Sequence, residues 1–129
     1  MAVTIASVLA ELDHLKPSGY TADDKVKWLS HVEARILEEL LSWHQGFEDV
    51  EFDGYTYDPD TAPTTELLVQ GAYSDVYVKY LISMIDFHNN EIMRYNNSSA
   101  GFNHVWAELA AWVNRTYVPV QGARVTRFW

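Results

Sequence analysis

The 129-residue chain contains no cysteine. Disulfide frameworks, thiolate metal sites, iron–sulfur clusters and cysteine nucleophiles are excluded together. Basic residues are scarce, 9 Lys and Arg against 18 Asp and Glu, for a net charge of −9. Such a surface is repelled by a nucleic-acid backbone and by an anionic membrane, so neither is expected as a direct partner. Apolar runs are short, and none approaches the roughly 18 residues that a transmembrane helix needs. The N-terminus has neither the basic start nor the cleavage pattern of a signal peptide, and no secretion is expected. Glycine (6) and proline (4) are few and serve as punctuation.

What is abundant is apolar and aromatic. Hydrophobic residues make up 48% of the chain and aromatics 14%. The first figure supports one well-packed domain, which the length also predicts. The second exceeds what a small core needs and points to a surface made to be covered by protein, because rings are favoured at interfaces.

Apolar spacing predicts an all-α fold, a small bundle of about four helices. Ile5, Val8, Leu9, Leu12 and Leu15 form one stripe of a first helix from about Thr4, broken by Lys16-Pro17-Ser18-Gly19. Thr21 is a hydroxyl N-cap, with Asp23 and Asp24 in the following turn. The second helix then runs unbroken to Gly46 on a stripe of Val26, Leu29, Val32, Ile36, Leu40 and Trp43. Its opposite face carries Lys25, Lys27, Glu33, Arg35, Glu38 and Glu39. A third helix is capped by Ser74 or Asp75 and extends through Tyr77, Leu81, Met84, His88, Ile92 and Tyr95. It is apolar over most of its circumference, the mark of a central helix. The polar stretch 96–101 reads as a break, with Asn97 and Ser98 capping a fourth helix that Pro119 ends. The expected core is Leu29, Val32, Ile36, Leu40, Leu81, Met84, Ile85, Ile92, Trp106, Leu109 and Val113. The chain divides into a helical domain, residues 1–119, and an extended C-terminal arm, residues 120–129.

Between Glu48 and Glu66 lie seven acidic residues and no basic one. Like charges at this density predict a solvated, mobile loop, with one short hairpin at Asp53-Gly54. Asp49, Glu51 and Asp53 before Gly54 resemble a fragment of a calcium loop, but the bidentate Glu that should follow is missing. Asp86, His88 and Glu91 reverse the Glu-x-x-His order of di-iron bundles and have no second copy. His88 is read as a structural histidine on the apolar stripe. Ser74, Ser83, Ser98 and Ser99 lack a nucleophile-elbow context, and His14, His31, His44, His88 and His104 have no pattern tying them to an acid. No phosphate-binding glycine loop is present. The sequon matches at Asn97 and Asn114 are read as chance. No catalytic residue, metal or cofactor is therefore assigned. The arm is the exception to the charge rule: Arg124, Arg127, Phe128 and Trp129 form a basic–aromatic end without an acid, the composition of an interface hot spot.

Several strings carry a resemblance. They are Glu-Leu-Leu-Val at 66–69, Tyr80-Leu81, Ile85-Asp86, Arg94-Tyr95-Asn96-Asn97-Ser98, Phe102-Asn103 and Asn114-Arg115-Thr116, with Trp28-Leu29-Ser30 and Glu33-x-Arg35-Ile36 upstream. Over roughly residues 17–119 the chain resembles a family of head–tail connector, or adaptor, proteins of tailed phages and prophages of Gram-positive bacteria. That resemblance implies a small helical, non-enzymatic virion protein, made in the host cytoplasm. It implies a dodecameric ring of identical subunits beneath the portal protein, with a stopper or tail-completion protein below. DNA passes through the bore without being bound, and arms such as residues 120–129 reach onto neighbours. The alternatives are another virion component (stopper, tail-completion or decoration protein) and a host-directed protein-binding module that uses the acidic loop.

Overall fold

A computed structural model describes residues 2–47 and 50–117. Arg124, Arg127, Phe128 and Trp129, the proposed arm, and Asp49 of the calcium-like fragment lie outside the described residues. Four α-helices make up the fold, and the described residues contain no strand. They are α1 (Ile5–Leu15), α2 (Ala22–Arg35), α3 (Asp75–His88) and α4 (Ile92–Thr116).

The predicted cap at Thr21 forms, Ser74 precedes α3 without a side-chain cap bond, and Thr4 caps α1. Thr4 accepts from the Ser7 amide while the Ser7 hydroxyl accepts from the Thr4 amide, a reciprocal capping box. Thr21 Oγ1 accepts from the Asp24 amide at 3.2 Å.

α2 does not continue to Gly46 as a plain α-helix. It widens into a π-helical turn over Ile36–Leu41, which closes with the Ser42 amide on the Leu37 carbonyl at 2.7 Å. A π-turn places one more residue per turn than the α-helix, which is how consecutive Ile36 and Leu37, and then Leu41, all reach the core. Leu40, expected inside, is displaced to a half-buried position.

The larger correction concerns the third break. α3 ends at His88, seven residues before the predicted Tyr95 (95 − 88). The Asn90 amide donates to the Phe87 carbonyl at 3.1 Å and the Glu91 amide to the Asp86 carbonyl at 3.1 Å. With Asn90 at φ 59°, this is a Schellman ending with asparagine in the left-handed position. Apolar spacing runs on through Ile92 and Tyr95, and that continuity hides the ending. The polar stretch 96–101 is the interior of α4 instead of a break. Asn96, Asn97 and Ala100 are exposed, and the half-buried Ser98 donates its hydroxyl to Asp86 Oδ2 at 2.8 Å. Asn97 and Ser98 therefore cap nothing.

α3 is central, as its apolar circumference predicts, and packs against α1, α2 and α4. Antiparallel pairing with α4 follows from contacts in reversed order: Asp86 with Ser98, Tyr80 with Phe102, Tyr73 with Arg115. The α2 pairing is also antiparallel, through Trp28 with His88, His31 with Tyr80 and Glu33 with Tyr77. Leu12, Leu29, Val32, Ile36, Val76, Leu81, Ile85 and Leu109 are fully buried. Met84 and Trp106 lie half-buried around them. Ile92, counted in the expected core, is 71% exposed, because the turn at Asn90 swings it to the outside.

The segment between α2 and α3 forms no hairpin among its described residues. It lies against the bundle at two places. The Tyr55 amide donates to Ser30 Oγ at 2.7 Å. Further on, the Ile5 and Ala6 amides donate to the Thr65 and Ala62 carbonyls, both at 3.1 Å, and Leu67 donates back to Val3 at 3.0 Å. The acidic stretch is thus anchored where it was expected to be free. Glu51, Asp53, Asp58, Asp60 and Glu66 stay outside, while Phe52, Tyr55, Tyr57, Ala62 and Leu67 face the core.

Candidate functional site

Two features stand out, one buried and one exposed. The buried one is centred on Glu33, read from the sequence as part of the polar face of α2. Its residue is 0% exposed. Tyr77 donates to Oε1 at 2.6 Å. Tyr55 at 2.7 Å and the Leu68 amide at 2.9 Å donate to Oε2. The Tyr77 oxygen in turn accepts from the Val69 amide at 2.8 Å. Burial raises the Glu33 pKa above the ordinary carboxylate value, an effect that the hydrogen bonds from Tyr77, Leu68 and Tyr55 partly offset. Burial, reinforced by the facing carboxylate, pushes both tyrosines far up, so each remains a proton donor. The group joins α2, α3 and both ends of the long connection. Three donors on one fully buried carboxylate make it a structural clamp between these elements.

Lys25 and Arg35 also leave the solvent face to which they were assigned. Lys25 is 5% exposed and donates to Asp13 at 2.6 Å. The Arg35 guanidinium lies over Trp106, 4.7 Å from the ring centroid, and pairs with Glu39 at 2.9 Å.

The exposed feature is the corner between α3 and α4. A chain of rings leads to it: Tyr20 on Trp28 (5.2 Å), Trp28 stacked on His88 (5.0 Å, 10° between planes), His88 on Phe87 (5.3 Å), and Phe87 on Tyr95 (5.4 Å). At the corner, Phe87 is 54%, Ile92 71% and Met93 81% exposed. A depression of about 140 Å³ opens there between Phe87, Ile92 and Tyr95, with Asp86, Asn90 and Glu91 at its edge. Three large apolar side chains are thus left together in water.

The candidate metal residues separate. Asp86 is buried, its Oδ1 facing the Lys16 ammonium at 2.7 Å and its Oδ2 taken by Ser98. His88 is exposed and stacked on Trp28, off the core stripe where it was expected, because α3 ends there. Glu91 pairs with Arg94 at 2.9 Å. Among the described residues no group of three or more His, Asp or Glu side chains converges as a cation site. Glu51 and Asp53 are exposed. The serines point to their own backbone: Ser83 to Tyr80, Ser74 to Gly71, Ser99 to Asn96. Of the histidines, His44 is buried. Its Nδ1 donates to the Leu40 carbonyl at 2.7 Å, and Nε2 meets the Asn114 amide group at 3.0 Å, tying the π-turn to α4. No helix formed by the described residues is long and apolar enough to cross a membrane.

Sequence reasoning missed Glu33 and the corner, yet both left a signal. Glu33 follows Leu29 by four residues and precedes Leu37 by four, which is an inward register. Asn89-Asn90 is a helix-ending pair, asparagine being the usual substitute for glycine in that position. Comparison with protein-family models, curated proteins and solved structures finds no match to this chain.

Proposed function

We propose that this chain is a structural virion protein, a head–tail connector subunit that assembles as a ring beneath a portal protein and joins capsid to tail. The observation that carries the reading is the unpartnered apolar corner of Phe87, Ile92 and Met93 on a small, strongly acidic helical bundle. Such a molecule is built to be covered by protein, and its net charge of −9 keeps a passing DNA strand from adhering. The motif resemblance over residues 17–119 supports the same assignment. The role is non-catalytic and needs no cofactor, which accords with the use of Glu33 as a clamp. Its partners are further copies of itself, the portal above and a stopper or tail-completion protein below. Its place is the virion, reached through the host cytoplasm.

Electron microscopy of the purified chain, alone and mixed with a portal protein, tests this. Rings, or added density beneath the portal, are expected. A chain that remains monomeric and leaves the portal unchanged would overturn the reading.

A further inference from the structure

We infer that the depression between the end of α1 and the start of α2 binds a small neutral ligand through an acetamido group. It shares no lining residue with the α3–α4 corner, and its test is independent of the connector reading.

The depression measures about 340 Å³, within the range of small-molecule sites. Asp13 of α1, Ser18 of the connecting turn and Lys25 of α2 supply its polar groups. Two of these are unfinished. Lys25 is 5% exposed, a rare position for a lysine. Its ammonium has three N–H donors, and among the described residues it meets one acceptor, Asp13 Oδ1 at 2.6 Å. The Ser18 hydroxyl is buried and has no hydrogen-bond partner among the described residues. A buried donor without an acceptor is costly and calls for a partner from outside the chain. Ser18 lines the depression, and a change of rotamer turns its hydroxyl into it without moving the backbone.

Charge selects the class of ligand. Asp13 already balances Lys25, and the first turn of α2 carries Asp23 and Asp24. An anion would gain little from a paired ammonium and would meet carboxylates nearby. A cation would face Lys25. The occupant is therefore neutral, and it must accept and donate side by side. An acetamido group does both. Its carbonyl accepts from Lys25 and Ser18. Its N–H donates to Asp13, whose side chain is 60% exposed and whose second oxygen is not engaged by Lys25. Its methyl lies against the apolar part of the wall, Leu9, Pro17 and Ala22. A bare hydroxyl satisfies the polar half of the site and leaves that wall uncovered.

Amide-resolved NMR of the full-length chain tests this with four probes. N-acetylglucosamine and N-acetylglycinamide both carry the acetamido group, one on a sugar and one on a peptide unit. Glucose lacks it, and acetate replaces it with a charge. Saturable shifts at Ser18, Tyr20, Ala22 and Lys25 are expected with at least one acetamido probe, and the stronger of the two identifies its source. Glucose and acetate should shift these amides far less. Ser18→Ala should leave Tm unchanged or higher, because no bond within the fold is lost, and should weaken binding several-fold. Lys25→Met keeps the buried stem, removes the donors and should weaken binding at least about tenfold. Equal shifts with glucose or acetate, or none with either acetamido probe, would overturn the assignment. So would a Ser18→Ala variant that binds like the wild type and melts lower, since its hydroxyl would then serve the fold.

Discussion

Replacing Glu33 by leucine tests the clamp most directly. The two side chains are similar in volume, so packing changes little and hydrogen bonding changes completely. The lost acceptor served Tyr77, Tyr55 and the Leu68 amide. Tyr55 is half-buried and can turn to water. Tyr77 is 0% exposed and cannot, and the Leu68 amide sits in a part-buried bond. Two stranded donors at about 1–3 kcal/mol each give a loss of about 2–6 kcal/mol. Relief from burying a charge works the other way, but only when both partners are replaced by apolar groups is such a change usually neutral. Glu33→Leu with Tyr77→Phe should therefore cost less than the sum of the single changes. At roughly 4 °C per kcal/mol for a chain of this length, Glu33→Leu alone should lower Tm by about 8–24 °C.

Acidity gives an independent check through Glu33→Gln, which keeps the shape and cannot titrate. The folded-state pKa of Glu33 is raised by burial above its ordinary 4.5. The folded protein thus holds that proton more tightly than the unfolded chain. The stabilisation this provides is complete below 4.5 and is lost as pH rises through the raised value. Urea unfolding of both proteins in steps from neutral pH down to 4.5 should show the wild type gaining on Glu33→Gln throughout that window. Parallel pH profiles, or a Glu33→Leu variant within about 0.5 kcal/mol of wild type, the ordinary range for a surface change, would refute the clamp.

Leu81→Ala and Leu109→Ala, both at fully buried sites, should each cost about 2–5 kcal/mol in urea unfolding, whereas Ile92→Ala at its exposed corner should stay within about 0.5 kcal/mol. Asn90→Gly should leave Tm unchanged or slightly higher, while Asn90→Val forces a β-branched residue to φ 59° and should cost at least about 1–2 kcal/mol. Tyr77 is raised far above its ordinary 10.0 by burial and by Glu33, so its contribution persists below pH 10 and falls away as pH rises beyond it. The alkaline loss of stability, followed by circular dichroism, should be shallower in Tyr77→Phe than in wild type.

The helix count, the cap at Thr21, the central place of α3 and most of the core were legible in the sequence alone. These follow from local rules: Thr21 needs an amide only three residues away, and a repeat near 3.6 residues selects a buried face whatever that face meets. Tertiary structure decided the rest. Ile92 has the spacing of a core residue, but a single left-handed asparagine two positions earlier points the next helix back along α3 and leaves Ile92 outside. Spacing cannot reveal that reversal, because it records the interval between apolar residues and not the direction of the chain between them. Glu33 looks like a surface carboxylate until Tyr55, Leu68 and Tyr77 arrive from positions 22, 35 and 44 residues away. A buried charge becomes tolerable only when the fold delivers such donors, and no local pattern encodes their arrival. The acidic segment is likewise held by Ser30 and by the start of α1, so its own charge density did not decide its placement.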